Sequence, residues 1–383
     1  MFVLSIHADY ACRNSGACCS ADWDVPVEVP VYRTFEDALQ AGRLSVVAAP
    51  HDRGQVLIVD DELPEDAAAI LARTDAGDCV FYDRSGRACQ AHRTLGHEAL
   101  PSTCRHFPRL AVRDPRGTFI SLTHFCPTAA SQLFVDRPIE IVTDPPAFPL
   151  QDYEGLDVGA DEWPPLLKDR MLMDHASYGA WERHMVARCA NDESAPEDVL
   201  ATLVRDAASL MNFNPLRESL LARVEALPSS TVGATVPHRL TSSLEHFRRV
   251  TAAVPDDLRP ADDEDGVEAA YEELVQPEWS RWAAPLRRYL AAKAFANWTA
   301  YQGRGLQAIV MGLEAALALV RVEASRRCRD TARPLDEAQL REAIRAADFT
   351  LNHLAVGEDL ADAWSSAVET LETSTLYRTP SVT

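Results

Sequence analysis

Seven cysteines are concentrated in the first third of this 383-residue chain, which has nine cysteines in all. Three of them fall within "YACRNSGACCSADWDV", and the seven are Cys12, Cys18, Cys19, Cys79, Cys89, Cys104 and Cys126. A packed core does not need this density of sulfur, whereas thiolates are ligands of zinc and of iron-sulfur clusters. The pattern predicts a metal site. The isolated Cys189 and Cys328 are expected to be ordinary thiols.

Zinc and an iron-sulfur cluster both remain open from the residues alone, because tetrahedral sulfur ligation suits either metal. Zinc sites usually pair their ligands a few residues apart. Apart from the adjacent Cys18 and Cys19, the spacings here are wider and irregular. This favours a cluster held by four thiolates, drawn from the seven available.

Charge and hydropathy restrict the class of protein. The net charge of −21 argues against a nucleic-acid partner, since such binding depends on Lys and Arg. No apolar run reaches the roughly 18 to 20 residues that span a bilayer, so no membrane partner is expected. The start, "MFVLSIHADYAC", has no basic region before its apolar stretch and is not typical of a signal peptide. The predicted compartment is the cytoplasm, where thiols stay reduced. The oligomeric state is left open.

Two β-hairpins are expected to position four of the cysteines. The turn "DRSG" lies within "CVFYDRSGRACQ", and the turn "DPRG" lies within "RLAVRDPRGTFISL". Counting outward from the first turn places Cys79 beside Cys89, and counting from the second places the Cys104 region beside Cys126. These four are the predicted core of the ligand set, with the earlier three folding over it.

The rest of the chain predicts an α+β protein. An irregular cysteine-rich domain with short β-hairpins is expected over residues 1–140, a proline-rich linker over 141–165, and a mostly α-helical domain over 166–383. Ser194 with Glu197 is predicted to cap one helix, and Asp336 is predicted to cap a later one.

Specific motifs carry a family resemblance. "CRNSGACC" fits C-x-x-C-G-x-C-C with Ser15 in place of the second cysteine, which removes one possible ligand. "CVFYDRSGRACQAHRTLGHEALPSTCRHFPR", followed by "SLTHFCPTAA", resembles the cysteine domain of the flagellin lysine-N-methylase family. That family belongs to a superfamily of cysteine-cluster proteins described as zinc- or iron-chelating. The C-terminal helices resemble it more weakly.

The resemblance implies a [4Fe-4S] cluster, with zinc as the alternative, and an enzyme that transfers a methyl group from S-adenosylmethionine to protein lysine or a related amine. The chain has neither a Rossmann glycine fingerprint nor a C-x3-C-x2-C motif, so a non-radical transfer is expected. Two alternatives remain. One is a non-enzymatic zinc- or iron-binding interaction protein, and the other is an enzyme that uses both cofactors on a small metabolite.

Other candidate residues lie beside the cysteines. A lysine amine is mostly protonated at neutral pH, so a nearby base or a desolvating pocket would help the transfer. His92 and His106 are the candidate bases, and His97 and His124 also lie near cysteines. Two arginines and one tryptophan, Arg105, Arg109 and Trp23, are the candidate cofactor-binding residues. The arginines would hold the cofactor's carboxylate or balance a cluster's charge, and the indole would stack on adenine or pack in the core.

Overall fold

The structure is a computed structural model that describes residues 1–21, 23–51, 54–59, 63, 66–149, 151, 153, 155–159, 163–233, 240–260 and 263–376, with side chains to residue 369. Small sheets occupy the N-terminal part and helices dominate the C-terminal part. The predicted α+β class is confirmed.

Short strands build the N-terminal part. The strands are β1 (Phe2–Leu4), β2 (Pro26–Glu28), β3 (Leu57–Ile58), β4 (Ala67–Leu71), β5 (Tyr82–Asp83), β6 (Ala88–Cys89), β7 (Arg109–Asp114), β8 (Gly117–Leu122), β9 (Ile141–Thr143), β10 (Gly155–Asp157), β11 (Leu166–Lys168) and β12 (Met171–Leu172). The largest sheet has the strand order β10-β7-β8-β1-β9, and a smaller sheet has the order β2-β4-β3. Two pairs, β5-β6 and β11-β12, stand separately.

The structure also contains fourteen α-helices and two π-helical turns among the described residues. The helices are α1 (Val29–Gln40), α2 (Gln90–Leu95), α3 (Ser102–His106), α4 (Pro127–Gln132), α5 (His175–Cys189), α6 (Pro196–Leu210), α7 (Leu220–Glu225), α8 (Leu240–Ala252), α9 (Val267–Ala270), α10 (Gln276–Trp279), α11 (Ala283–Ala294), α12 (Leu306–Thr331), α13 (Glu337–Phe349) and α14 (Gly357–Leu376). The π-helical turns are Tyr271–Val275 and Thr350–Leu354. None of the described helices has both the length and the apolar character needed to cross a membrane.

The segment predicted as a linker contributes to the large sheet. Strand β9 pairs antiparallel with β1, and β10 pairs parallel with β7. Residues 141–165 therefore supply both edge strands of the sheet. Prolines around two three-residue strands leave no periodic pattern from which this pairing could be read.

The observed strand pairing agrees with the prediction for the second hairpin and differs from it for the first. In the second, β7 pairs with β8 from Arg109 opposite Leu122 to Asp114 opposite Gly117, as predicted. In the first, Cys89 lies opposite Tyr82, so Cys79 is not its direct partner. Helix α2 begins immediately after Cys89 and ends that ladder. Cys104 is in helix α3 and not on an extension of β7.

The predicted helix caps can be compared with the structure at two positions. Asp336 caps α13, where its carboxylate and the Gln339 side chain form a capping box. The prediction for Ser194 was wrong, because the residue before α6 is Ala195 and no side chain caps this helix. Glu197 instead accepts hydrogen bonds from the Trp279 indole and the Arg321 guanidinium. Long-range partners on other helices outcompete the local cap.

Two of the buried cores contain most of the cysteines. Helix α12 is buried along most of its length and packs on α6, α8, α13 and α14. The large sheet contributes Leu4, Val112 and Phe119 to this main core. A smaller core around Phe35 and Phe81 lies under the first hairpin and contains most of the clustered cysteines.

Candidate functional site

Five thiols share one neighbourhood in the smaller core. We call them the five-thiol group, and they are Cys18, Cys19, Cys79, Cys89 and Cys104. The Sγ atoms of Cys18 and Cys19 are 3.8 Å apart. The backbone N–H of Cys79 donates to the Cys19 carbonyl over 2.7 Å, which joins two segments that are distant in sequence. Cys79, Cys89 and Cys104 therefore lie close together. They are not paired across strands in the way that counting from the turns predicted.

The thiols perturb one another electrostatically. Burial raises the pKa of Cys104 well above its usual range, and the proximity of Cys18 and Cys79 raises it further. Burial likewise raises the pKa of Cys79 to about 11. The hydrogen bond from Cys19 lowers the pKa of Cys18. A buried set of thiols holds its protons unless a cation compensates the thiolate charges.

Arg73 is a cation beside this group, and no motif in the sequence marks it. Its guanidinium donates to the backbone carbonyls of Cys19 and Trp23. Its charge also lowers the pKa of Cys18 and of Cys79, against the stronger effect of burial on Cys79. An arginine six positions before a cysteine carries no local signal, so only the fold reveals this role.

Cys12 and Cys126 lie near Tyr10 and do not belong to the five-thiol group. The hydroxyl of Tyr10 is 3.6 Å from Cys126 Sγ, and both belong to a third buried cluster beneath the large sheet. Burial raises the pKa of Cys12, and both Cys18 and Cys126 add to this, so Cys12 lies between the two groups. Within the described part of the chain, no set of three or more His, Cys, Asp or Glu side chains is arranged to hold a metal ion.

The two candidate arginines differ in their surroundings. The guanidinium of Arg109 lies 5.1 to 5.7 Å from the ring centroids of Tyr10, Phe148 and Tyr153. No carboxylate of the described residues pairs with it, and its buried Nε has no partner there. Arg105 is 3.8 Å from the exposed Glu98. Arg109 is therefore a cation held by aromatic faces.

The candidate bases also differ. His92 is exposed, and its backbone N–H donates to Cys89 Sγ over 3.5 Å. Its ring lies 5.7 Å from that of His97. His106 is buried against Tyr153, with Nδ1 3.3 Å from Ser102 Oγ, and burial lowers the pKa of His106. Of the two predicted bases, only His92 faces solvent.

Trp23 joins the cysteine segment to the helical part. Its ring contacts the rings of Phe107, Phe125, Phe349 and His353, with centroids 4.8 to 6.5 Å apart. Its indole Nε1 is buried and has no hydrogen-bond partner among the described residues. Packing within this aromatic cluster is sufficient to explain the position of the Trp23 ring.

A buried polar network lies beyond the aromatic cluster. His124 Nδ1 is 3.2 Å from Asp348 Oδ2, and His124 Nε2 is 3.2 Å from His7 Nε2. The other Asp348 oxygen accepts from Tyr289 over 2.8 Å and pairs with Lys293 over 2.7 Å. Burial alone would raise the pKa of Asp348, yet Lys293 and His124 hold it below its ordinary value.

This network fixes the ring tautomers of its two histidines. With Asp348 ionised, His124 donates from Nδ1 to the carboxylate, so His124 Nε2 accepts from His7. His7 Nδ1 is then left as an acceptor, buried and without a partner among the described residues. Burial lowers the pKa of both rings and keeps them neutral. Of these residues, His124 is the one closest to a cysteine in the sequence, and the other members come from distant segments.

Comparisons with protein-family models, with curated proteins and with solved structures give no match for this chain.

Proposed function

We propose that the cysteine-rich part of this protein binds a metal centre through thiolates, a [4Fe-4S] cluster in preference to zinc. The observation that carries the proposal is the five-thiol group, which gathers cysteines from three separate segments beside the Arg73 cation. Free thiols in such a buried cluster repel one another when ionised. A metal centre would compensate the negative charge of the thiolates, and these side chains would then act as its ligands.

The chemistry of the donor set fits such a centre. Four thiolates are needed, and the group offers five, with Cys12 and Cys126 close enough to Tyr10 to belong to a second layer. A cysteine sulfur moves on a single side-chain torsion, and ligation would require rotation of the thiols toward a common point. Arg73 would then balance part of the negative charge of the occupied site.

We further propose that the protein is a non-radical N-methyltransferase acting on protein lysine or a related amine. S-adenosylmethionine supplies the activated methyl group in this reaction. Arg109 supports the proposal, because a cation without a carboxylate partner in the described residues suits the cofactor's carboxylate. His92 is exposed beside Cys89 and is the proposed acceptor of the amine proton, with His106 as the second candidate.

The metal proposal is tested on protein purified without oxygen. Iron, acid-labile sulfide and zinc are quantified, and the visible spectrum is recorded before and after dithionite. Iron and sulfide in near-equal amounts, with a brown colour that bleaches, are expected. Stoichiometric zinc without sulfide, from cells supplied with iron, would support the zinc alternative instead.

The transferase proposal has its own experiment. Binding of S-adenosylmethionine to the metal-loaded protein is measured by calorimetry, and methyl transfer to lysine-bearing proteins is followed with labelled cofactor. Arg109→Ala should weaken cofactor binding by roughly ten- to a hundred-fold without loss of metal, whereas Arg170→Ala at an exposed site should not. A metal-loaded protein that binds no cofactor would indicate a metal-binding interaction protein. Binding without transfer to lysine would indicate a small-metabolite acceptor.

A further inference from the structure

A cavity of about 260 Å³ lies where the β7–β8 hairpin meets the helical part. Its walls come from the hairpin, the end of α11 and the segment after it, the middle of α12, the second π-helical turn, and the start of α14. It is slightly smaller than the roughly 300 Å³ at which drug-sized sites begin. Its volume therefore suits a small molecule.

The polar residues that line the cavity include two with side chains that only donate hydrogen bonds, Trp364 and Lys293. Trp364 is 2% exposed and lines the cavity, so its indole N–H is one of the donors there. Lys293 Nζ lines the same space and spends one bond on Asp348, which leaves further N–H groups. Asn352 also lines the cavity, and its side-chain NH2 group donates to Thr123 over 3.4 Å. An indole N–H and an ammonium only donate, so a molecule bound here would meet them with acceptor atoms.

The charge of the cavity is balanced. Lys293 is its one charged lining residue among the described residues, and Asp348 neutralises it at 2.7 Å. An anionic ligand would have to compete with this carboxylate, and a cationic ligand would meet the ammonium. The balance favours an uncharged ligand.

The walls present flat aromatic surfaces. Phe295, Trp298 and Trp364 line the cavity, and Trp298 is 42% exposed at its edge. Gly312 lies on α12 beside the Trp364 ring, where a Cβ atom would be 3.3 Å from the indole nitrogen. A glycine inside a helix costs about 1 kcal/mol relative to alanine. At this position it keeps space open beside the indole N–H.

We propose that this cavity binds an uncharged heteroaromatic molecule of nucleobase or nucleoside size, whose acceptor atoms take hydrogen bonds from Trp364 and Lys293. Flat rings stack on the aromatic walls, and ring nitrogens or carbonyls meet the donors. The inference goes beyond the proposed metal centre, because none of the lining residues is a cysteine.

The test is calorimetric titration of the whole protein, as purified, with adenosine, uridine and adenine, and with adenosine 5′-monophosphate as the anionic counterpart. One-to-one binding of a neutral probe with a Kd below about 1 mM is expected. The monophosphate should bind more weakly than adenosine. Trp364→Phe should weaken binding by about five- to ten-fold, because it keeps an aromatic ring and removes the N–H.

Gly312→Ala provides a second variant, which leaves the Trp364 side chain unchanged. It adds a methyl group beside the indole and should weaken binding at least ten-fold, while the helix itself gains from alanine. The matched controls are Trp163→Phe at an exposed position and Gly159→Ala, where a Cβ meets nothing within 4 Å. Absence of binding by every neutral probe, tighter binding of the monophosphate, or equal binding in Gly312→Ala and Gly159→Ala would overturn the proposal. None of these results depends on the metal content, so failure here is distinguishable from failure of the proposed function.

Discussion

Lys293 Nζ and Asp348 Oδ1 are 2.7 Å apart, and the carboxylate of this ion pair is completely buried. The pair joins α11 to α13 and borders the cavity on one side and the His7–His124 network on the other. Removal of one partner from a buried pair leaves an uncompensated charge, which costs more than the pair itself contributes.

Asp348→Asn should therefore destabilise the protein by about 3 to 5 kcal/mol. The amide cannot neutralise Lys293, and its NH2 group meets donors on Tyr289 and His124. The free energy of unfolding is measured in urea. Asp362→Asn is the control, because Asp362 pairs with Arg304 at an exposed site where the expected change is below about 1 kcal/mol. Equal losses in the two variants would contradict the importance of the buried pair.

Glu314 should make stability fall as pH rises toward neutrality. Burial raises the pKa of Glu314 from 4.5 to about 7. The folded protein keeps this proton between those two values while the unfolded chain releases it, so stability is lost over that range. The full cost above pH 7 is about 3 kcal/mol.

Glu314→Gln removes this dependence. The melting temperature of the variant should match that of the parent near pH 4 and exceed it at pH 8. Glu358→Gln, at an exposed position on α14, should shift neither value. A variant advantage of the same size at both pH values would show that the carboxyl proton is not the cause.

Substitution of Cys104 should change the metal content of the protein more than substitution of Cys126. Cys104 belongs to the five-thiol group, whereas Cys126 contacts Tyr10 in a separate cluster. Cys104→Ser should lower the metal content, and Cys126→Ser should retain most of it. Cys189→Ser, in the main core, is the control and should retain all of it. Metal loss in Cys126→Ser equal to that in Cys104→Ser would restore the ligand set predicted from the hairpins.

Arg116→Lys should cost about 2 kcal/mol of unfolding free energy. The guanidinium bridges Asp114 at 2.6 Å and Glu182 at 2.8 Å, and it lies over the Phe119 ring at 4.3 Å. A lysine ammonium cannot reproduce this fork or the stacking. Arg113→Lys is the control, since its partner Asp157 is largely exposed. A urea titration in which both variants lose the same free energy would count against the bridging role.

The amino-acid sequence determined those features that depend on neighbouring residues. The density of cysteines, the α+β class, the β7–β8 hairpin with its turn and the Asp336 cap all follow from composition, turn residues or a capping box. Each involves interactions over a few positions, where chemistry and spacing are visible in the chain itself.

Tertiary structure decided which of the cysteines lie together and what surrounds them. Cys79 and Cys104 meet through packing of the smaller core and not through a shared ladder, and Arg73 reaches them only there. Asp348 accepts from His124, 224 residues away, so no local pattern could pair them. Such contacts are set by burial of distant apolar segments, which brings together polar groups whose spacing in the sequence carries no information.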